Sequence, residues 1–362
     1  MKRIRIRTAA ALLAAVLLLS CPVQAVSAQR AIVMDAATGR VLYEKDADSR
    51  SLIASTTKIM TALIVCEQCN VLDRVKIPKE AVGIEGSSMY LREGEVLTVQ
   101  ELLYGLMLHS GNDAAVALAI WCGGTVEGFV ELMNDKAHLL RLDSTHFANP
   151  NGLDHPEHYA TARDLAVLAA YAMENPIFAQ TVSTKSITVA GRSLRNHNKL
   201  LWQVEGADGV KTGFTKAAGR ILVSSACREG RRLIAVTIND PNDWLDHKAL
   251  LEEGFSRFEM RQIVAAGDCL GIAEVPGGTE NAVEILASED FFYPLAKEET
   301  AEVVLPGTGF IYAPVAQGQD AGCAHICIDG KSVGKIKTEY GATVEQTQEE
   351  KKSFWQKLLK RE

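Results

Sequence analysis

The chain alternates between two hydrophobic periods. In Leu52–Val65, apolar residues recur at Ile59, Met60, Leu63 and Ile64, the spacing of one helix face. Leu97–Leu108 carries Leu102, Leu103, Leu106 and Met107 on one side; Thr98 and Glu101 supply a capping box. Ala114–Trp121 is apolar almost throughout and reads as a buried helix. Glu127–Leu140, Thr161–Glu174 and Trp244–Phe258 are further helices.

Strands have the other period. Ala31–Met34 and Val41–Tyr43 flank the turn formers of 35–39 and read as a hairpin. Ile187–Val189, Gly209–Gly213, Ile221–Ala226 and Leu233–Ile238 read as successive strands. The early hairpin can pair with these late strands into one antiparallel sheet, covered by helices on both sides, with a helical cluster between. Beyond Arg261 the pattern becomes short alternating runs between Pro-Gly turns, which predicts a small all-β domain over 262–342.

The two ends differ from the body. Lys2, Arg3, Arg5 and Arg7 precede the apolar run Ala9–Leu19, which is too short to span a membrane. Val26-Ser27-Ala28 then offers a small-x-small cleavage site, so 1–28 reads as an export signal. Leu18-Leu19-Ser20-Cys21 loosely resembles a lipoprotein site and leaves lipidation of Cys21 open. At the other end, Phe354, Trp355, Leu358 and Leu359 fall at helical spacing among Lys351, Lys352, Lys357, Lys360 and Arg361. A basic amphipathic helix with Trp at its boundary suits a membrane surface, so 343–362 reads as an anchoring tail.

The 362 residues are 47% hydrophobic, enough for two cores. The formal charge is −7, and without the four basic residues of 1–28 it is −11, which argues against nucleic acid as a partner. Of the eight cysteines, seven follow Cys21, an odd number without framework spacing. They read as core thiols; a zinc site or a Cys323–Cys327 bridge is the alternative, and neither a metal nor a cofactor is expected.

Three short motifs carry possible chemistry. Ser55-Thr56-Thr57-Lys58 heads the first helix and places Ser55 and Lys58 on one face. An amine within reach of a serine hydroxyl can take its proton; the same letters also fit a capping serine and a solvated lysine. Ser110-Gly111-Asn112 sits on a turn between two helices, and Lys211-Thr212-Gly213 on a strand. This set in this order is the one known from class A β-lactamases and penicillin-binding proteins.

With Ala54–Thr61, with Phe147-x-Asn149-Pro150-x-Gly152-Leu153 and with Thr161-x-x-Asp164, the chain resembles the low-molecular-mass penicillin-binding proteins, serine-type D-alanyl-D-alanine carboxypeptidases. The resemblance implies an α+β fold: a β-lactamase/transpeptidase-like domain over 29–260, then a small β-sandwich-like domain over 262–342. It implies Ser55 as nucleophile, Lys58 as base and Ser110 as proton carrier to the leaving amine. Asn112, Lys211, Thr212, Gly213 and Thr215 would bind substrate, and the N–H groups of Ser55 and Phe214 would form the oxyanion hole. Many relatives carry histidine in place of Phe214, which bears on deacylation. The implied substrate is the stem peptide of peptidoglycan, cut between its terminal D-alanines, with β-lactams as covalent inhibitors and a station outside the cytoplasmic membrane. The rival readings are a DD-endopeptidase, a β-lactamase and a β-lactam sensor. A class A β-lactamase would place an activating glutamate in the loop after the second motif, where this chain offers only Glu157, out of pattern.

Overall fold

The computed structural model describes residues 26–307 and 309–348. The basic and apolar leader up to Ala25, with Cys21, and the amphipathic stretch from Lys351 lie outside the described residues. The chain divides into two compact units, one ending at Ser256 and the other starting at Arg257.

In the first unit, β1 (Arg30–Asp35) and β2 (Val41–Lys45) form the expected hairpin. A 3-10 turn, Ala54–Thr57, leads into α1 (Lys58–Gln68). A ribbon of β3 (Arg74–Lys76) and β4 (Val96–Thr98) precedes α2 (Val99–Leu108), whose Thr98–Glu101 capping box is complete. Then come α3 (Asn112–Gly123), α4 (Val126–Leu139), α5 (Ala162–Ala172) and α6 (Pro176–Ser183). Strands β5 (Ser186–Val189) and β6 (Arg192–Arg195) and the short α7 (Leu200–Gln203) follow. The unit closes with β7 (Ala207–Thr215), β8 (Gly219–Arg228), β9 (Arg231–Ile238) and α8 (Asp243–Arg257).

The main sheet is antiparallel, in the order β2-β1-β9-β8-β7. The early hairpin therefore does join the late strands, through β1 against β9. The strand at Ile187 does not. Among the described residues it pairs only with β6, in a separate ribbon closed by Ala190 and Gly191, both at positive φ. Four residues of alternation show that a strand forms; they do not name its partner.

Each sheet face has its own core. Ile32, Val223, Ile234 and Val236 turn to the large helical side, and Ala31, Val33, Leu222 and Ala235 pack with Leu250 and Leu251 of α8. Alternation along a strand produces this division. Helix α1 is the centre of the helical side: every residue from Lys58 to Cys66 is buried. Its apolar stripe predicts a one-sided helix, but β7, α2, α3 and α5 enclose it. Residues 26–28 belong to this unit too: Val26 and Ala28 are buried in the second core.

In the second unit, β10 (Glu259–Val264) pairs with β13 (Phe291–Leu295). The strands β11 (Cys269–Glu274), β12 (Ala282–Ala287), β14 (Ala301–Val304), β15 (Asp320–Ile328) and β16 (Lys331–Tyr340) form a sheet in the order β11-β12-β16-β15-β14. Val264 of the ribbon packs against Ala324, Ile326 and Ile336. This unit runs past residue 342: Val344 is buried and bonded to Val315, and the Thr347 hydroxyl donates to the Gly278 carbonyl. One apolar residue among polar ones is too little to mark that last strand-like segment in the sequence.

The seven cysteines of the described residues are free thiols. Only Cys66 is a buried core thiol, and burial pushes it up to about 12. Cys269 is exposed and the other five are half-buried, so the expectation of core thiols holds for one position. Among the described residues no group of metal-binding side chains is assembled, and no single helix is long and apolar enough to cross a membrane.

Candidate active site

The turn before α1 is shaped by its two threonines. Thr56 donates to the Ile53 carbonyl at 2.6 Å and Thr57 to the Ala54 carbonyl at 2.8 Å. Ala54 itself has a φ of 45°, in the left-handed region that alanine rarely adopts. Such backbone persists only where its surroundings hold it. Ser55 is thereby presented at the cavity wall, while Thr56, Thr57 and Lys58 are buried.

The Lys58 amine has three polar neighbours. It lies 3.0 Å from the Ser55 hydroxyl, 2.7 Å from Asn112 Oδ1 and 2.5 Å from the Asn151 carbonyl. Burial, and then the charge of Lys211, push its pKa well below the ordinary lysine value, with Asp113 opposing. A neutral amine has two N–H bonds and one lone pair. Two of the three neighbours are carbonyl oxygens, which only accept. Asn112 cannot offer its NH2 instead, because that group donates to the Glu85 carbonyl. The lone pair is therefore left for the one neighbour that can donate, the Ser55 hydroxyl.

Asn151 comes from the loop after α4, where it is aimed by a local network. Asn149 Oδ1 accepts from Gly152 N at 2.7 Å, and Asn151 Oδ1 accepts from Leu153 N at 3.1 Å. Thr61 of α1 donates to the Pro150 carbonyl at 2.6 Å. Buried His158 anchors the same loop, taking a hydrogen bond from Ala148 N and pairing with the Thr57 hydroxyl at 2.6 Å.

The second motif lies where α2 turns into α3. Ser110 has a φ of 63° and is 5% exposed, so its hydroxyl is held at the cavity edge. Among the described residues that hydroxyl has no hydrogen-bond partner. Asp113 accepts from Ser88 Oγ, Met89 N and Leu91 N, and Asn112 N donates to the Ser87 carbonyl. The motif thus also fixes the segment that brings Ser87 to the cavity.

The third motif is on β7, an edge strand whose only ladder partner among the described residues is β8. Its free side faces the Ser55 turn. A β-carbon on Gly213 would stand 3.2 Å from the Ile53 carbonyl and 3.3 Å from Thr56, so glycine here permits close approach of strand and turn. The Lys211 amine is buried and donates to the Thr212 carbonyl at 2.9 Å; burial pushes it down to about 7.

Ser55, Ser87, Ser110, Thr212, Gly213 and Phe214 line one cavity of about 430 Å3. Lys58, Asn112 and Lys211 stand behind that wall as buried groups. Thr215 does not belong to it. Its hydroxyl donates to Asp154 at 3.0 Å and accepts from Ala218 N, because period-2 alternation turns it away from the face of Thr212 and Phe214. The far wall was not signalled by any motif: His197, Arg220, Asp243 and Trp244 arrive from three separate elements. Asp243 is the sole acid among the lining residues, and it holds Arg220 through two hydrogen bonds, at 2.6 and 3.1 Å. Glu157 is exposed and absent from the lining.

Residues 19–242 match the family model described as D-alanyl-D-alanine carboxypeptidase, and 258–346 match that of the penicillin-binding protein 5 C-terminal domain. The chain is 32% identical over 320 residues to the D-alanyl-D-alanine carboxypeptidase DacF of Bacillus subtilis, covering 84% of this chain and 82% of the relative. It is 35% identical to DacD of Escherichia coli over 80% of each. Among solved structures, penicillin-binding protein 5 of Haemophilus influenzae superposes with a TM-score of 0.76 at 32% identity, over 89% of this chain and 98% of that one.

Proposed function

The chain belongs to the D-alanyl-D-alanine carboxypeptidases, serine-type hydrolases of the cell wall, and from that membership we propose how its own residues divide the work. Ser55 attacks the carbonyl between the two terminal D-alanines of a stem peptide, giving its proton to the neutral Lys58 amine. The contact that carries this reading is the three-neighbour geometry of Lys58, which leaves its lone pair to Ser55. Ser110 passes a proton to the departing amine, and its otherwise unengaged hydroxyl suits that task. The protonated Lys211, with Thr212, binds the terminal carboxylate, while the backbone N–H groups of Ser55 and Phe214 receive the oxyanion. Thr215 has no part in this account, since Asp154 takes its hydroxyl. Water then frees the acyl group from Ser55. A β-lactam acylates the same hydroxyl and leaves it slowly, since no carboxylate of the 147–157 loop lines the cavity to activate water as in class A β-lactamases.

The leader and the basic tail support an exported enzyme held at the outer face of the cytoplasmic membrane. The units divide near 257, and the tail proper follows residue 348. Truncation after Gln348 should release the protein from membranes with catalysis intact; release is not expected if the β unit itself binds the membrane.

The decisive experiment follows the mature protein by mass spectrometry after brief exposure to a fluorescent penicillin, alongside D-alanine release from a pentapeptide. A slowly decaying adduct on Ser55 with D-alanine released is the expected result. Labelling that survives Ser55→Ala removes the nucleophile assignment, and rapid destruction of the antibiotic without D-alanine would indicate a β-lactamase.

A further inference from the structure

Helices α1 and α3 meet at both ends. They begin at the site, where the Lys58 amine of one lies 2.7 Å from Asn112 Oδ1 of the other. They have 11 and 12 residues and run the same way, so they come together again at their far ends. There, about 15 Å from the site, Cys122 Sγ of α3 lies 3.6 Å from Oε1 of Gln68, the last residue of α1.

Cys69 is the next residue. Its N–H donates to the Val65 carbonyl at 3.0 Å and closes α1, while its own backbone is already extended. Its side chain can therefore turn without unwinding the helix. Both Cys69 and Cys122 are half-buried against the large core, so solvent reaches them. The two thiols also differ. Cys122 donates a hydrogen bond to the Cys69 sulfur, which lowers the pKa of Cys69 against burial and the charge of Asp73, and raises that of Cys122. Cys66, one turn earlier on α1, is buried and pushed up to about 12, so it stays protonated and inert. A low-pKa thiol beside a protonated one is the arrangement of an attacking and a resolving cysteine.

We propose that Cys69 and Cys122 are an oxidation site, and that in the exported enzyme they form a stabilising disulfide that joins the far ends of the helices carrying Lys58 and Asn112. The oxidant is an external disulfide. The Cys69 thiolate attacks one of its sulfurs and expels the other as a thiolate, leaving a mixed disulfide. The Cys122 sulfur, giving its proton to water, attacks the Cys69 sulfur and expels the second reagent thiolate. Two protein thiols are oxidised, the external disulfide is reduced to two thiols, and the protons that the protein loses end on those thiols. The leader expected at 1–28 would bring the pair to a compartment in which disulfides persist. The bond closes the long loop 69–122, which holds α2 and the segment of Ser87, and long loops gain most from closure. Neither thiol takes part in the reaction at Ser55.

The test exposes the full mature enzyme, folded and reduced, to oxidised glutathione, blocks the remaining thiols with iodoacetamide after unfolding, and maps the peptides by mass spectrometry. The expected product is one peptide pair joined through Cys69 and Cys122, with Cys66 alkylated. The oxidised enzyme should melt about 5–10 °C above the reduced one, a difference that dithiothreitol removes. It should release D-alanine at an unchanged rate. Cys122→Ser should stop at the mixed disulfide, with glutathione held on Cys69, whereas Cys69→Ser should react at least about tenfold more slowly. Penicillin labelling at the parent rate verifies that both variants are folded. A parent that holds glutathione on Cys69 without passing it on, or that joins Cys66 to Cys69 instead, overturns the inference. So do thiols that both stay free, equal rates in the two variants, or an oxidised form with an unchanged melting temperature.

Discussion

Gly152 is packed against Ala54 so closely that a β-carbon on it would stand 1.9 Å from the Ala54 carbonyl oxygen. The φ of Gly152 is 88°, so the backbone there also disfavours a side chain. The neighbouring Asn151 carbonyl is one of the three groups around the Lys58 amine. Gly152→Ala must push the loop off the nucleophile turn. We expect it to cost roughly 2–4 kcal/mol in urea unfolding and to slow penicillin labelling at least about tenfold through loss of the Asn151 contact. Gly83→Ala is the control: its φ is also positive but nothing lies within 4 Å of the added atom. It should cost about 1 kcal/mol and leave labelling unchanged. Equal labelling in the two variants would show that the Asn151 loop does not position the base.

The two buried lysines give the reaction opposite pH requirements. Lys58 acts only when neutral, so activity falls as pH drops through its depressed pKa. Lys211 binds a carboxylate only when protonated, and in the free enzyme it is pushed down to about 7. For peptides ending in D-alanine, kcat/KM should therefore be bell-shaped, with an alkaline limb near 7. A substrate with its terminal carboxylate amidated should keep the acid limb and lose the alkaline one. An unchanged alkaline limb on the amidated substrate would remove Lys211 from carboxylate recognition.

Much of this was legible in the sequence, and what was not has a common cause. The helix at Thr98 announced itself through a capping box, and the three motifs sat on a turn before a helix, a turn between helices and a strand. These are local signals. The wall of His197, Arg220, Asp243 and Trp244 is not local: it forms only when β8 and the start of α8 are folded beside β7. Asn151 acts through its backbone carbonyl, which no side-chain pattern reports. Thr215 shows the converse error. It follows the third motif closely in sequence, yet the strand period sends it to Asp154.

Burial of His247 should set part of the acid stability. Its ring nitrogens pair with the Ser224 hydroxyl at 2.6 Å and the Thr237 hydroxyl at 2.9 Å, and burial pushes its pKa down to about 3. In the unfolded chain it titrates near 6.5. A depressed folded pKa means that stability is complete above about 6.5 and is lost as pH falls towards the folded value, because only the unfolded chain takes up the proton. The slope from this one group is about 1.4 kcal/mol per pH unit. His247→Gln should be less stable at neutral pH but lose stability less steeply between about 6 and 4. His158, pushed down to about 4 mainly by burial, acts in the same sense and leaves a residual slope. Parallel pH curves for variant and parent would refute the role given to His247.

The start of the mature chain is expected to lie before Val26, three residues earlier than the small-x-small site at 26–28. Ser27 donates from its backbone N to Asp246 at 2.6 Å, and its hydroxyl lies between the two carboxylates, 2.7 Å from Asp240 and 2.8 Å from Asp246. Both carboxylates are buried, and burial raises the pKa of Asp240. Lys45 donates to the Val26 and Ala28 carbonyls at 2.9 and 2.7 Å. Cleavage before Gln29 would take all of these away and leave two buried carboxylates without Ser27, at a cost of roughly 3 kcal/mol. Val23-Gln24-Ala25 offers a second small-x-small site that keeps them. The intact mass of the exported protein should correspond to a chain starting at Val26, and a recombinant chain starting at Gln29 should melt several degrees lower. A natural mass starting at Gln29 would mean that the Ser27 contacts are dispensable, and a lipid-modified mass starting at Cys21 would place the anchor at the front of the chain.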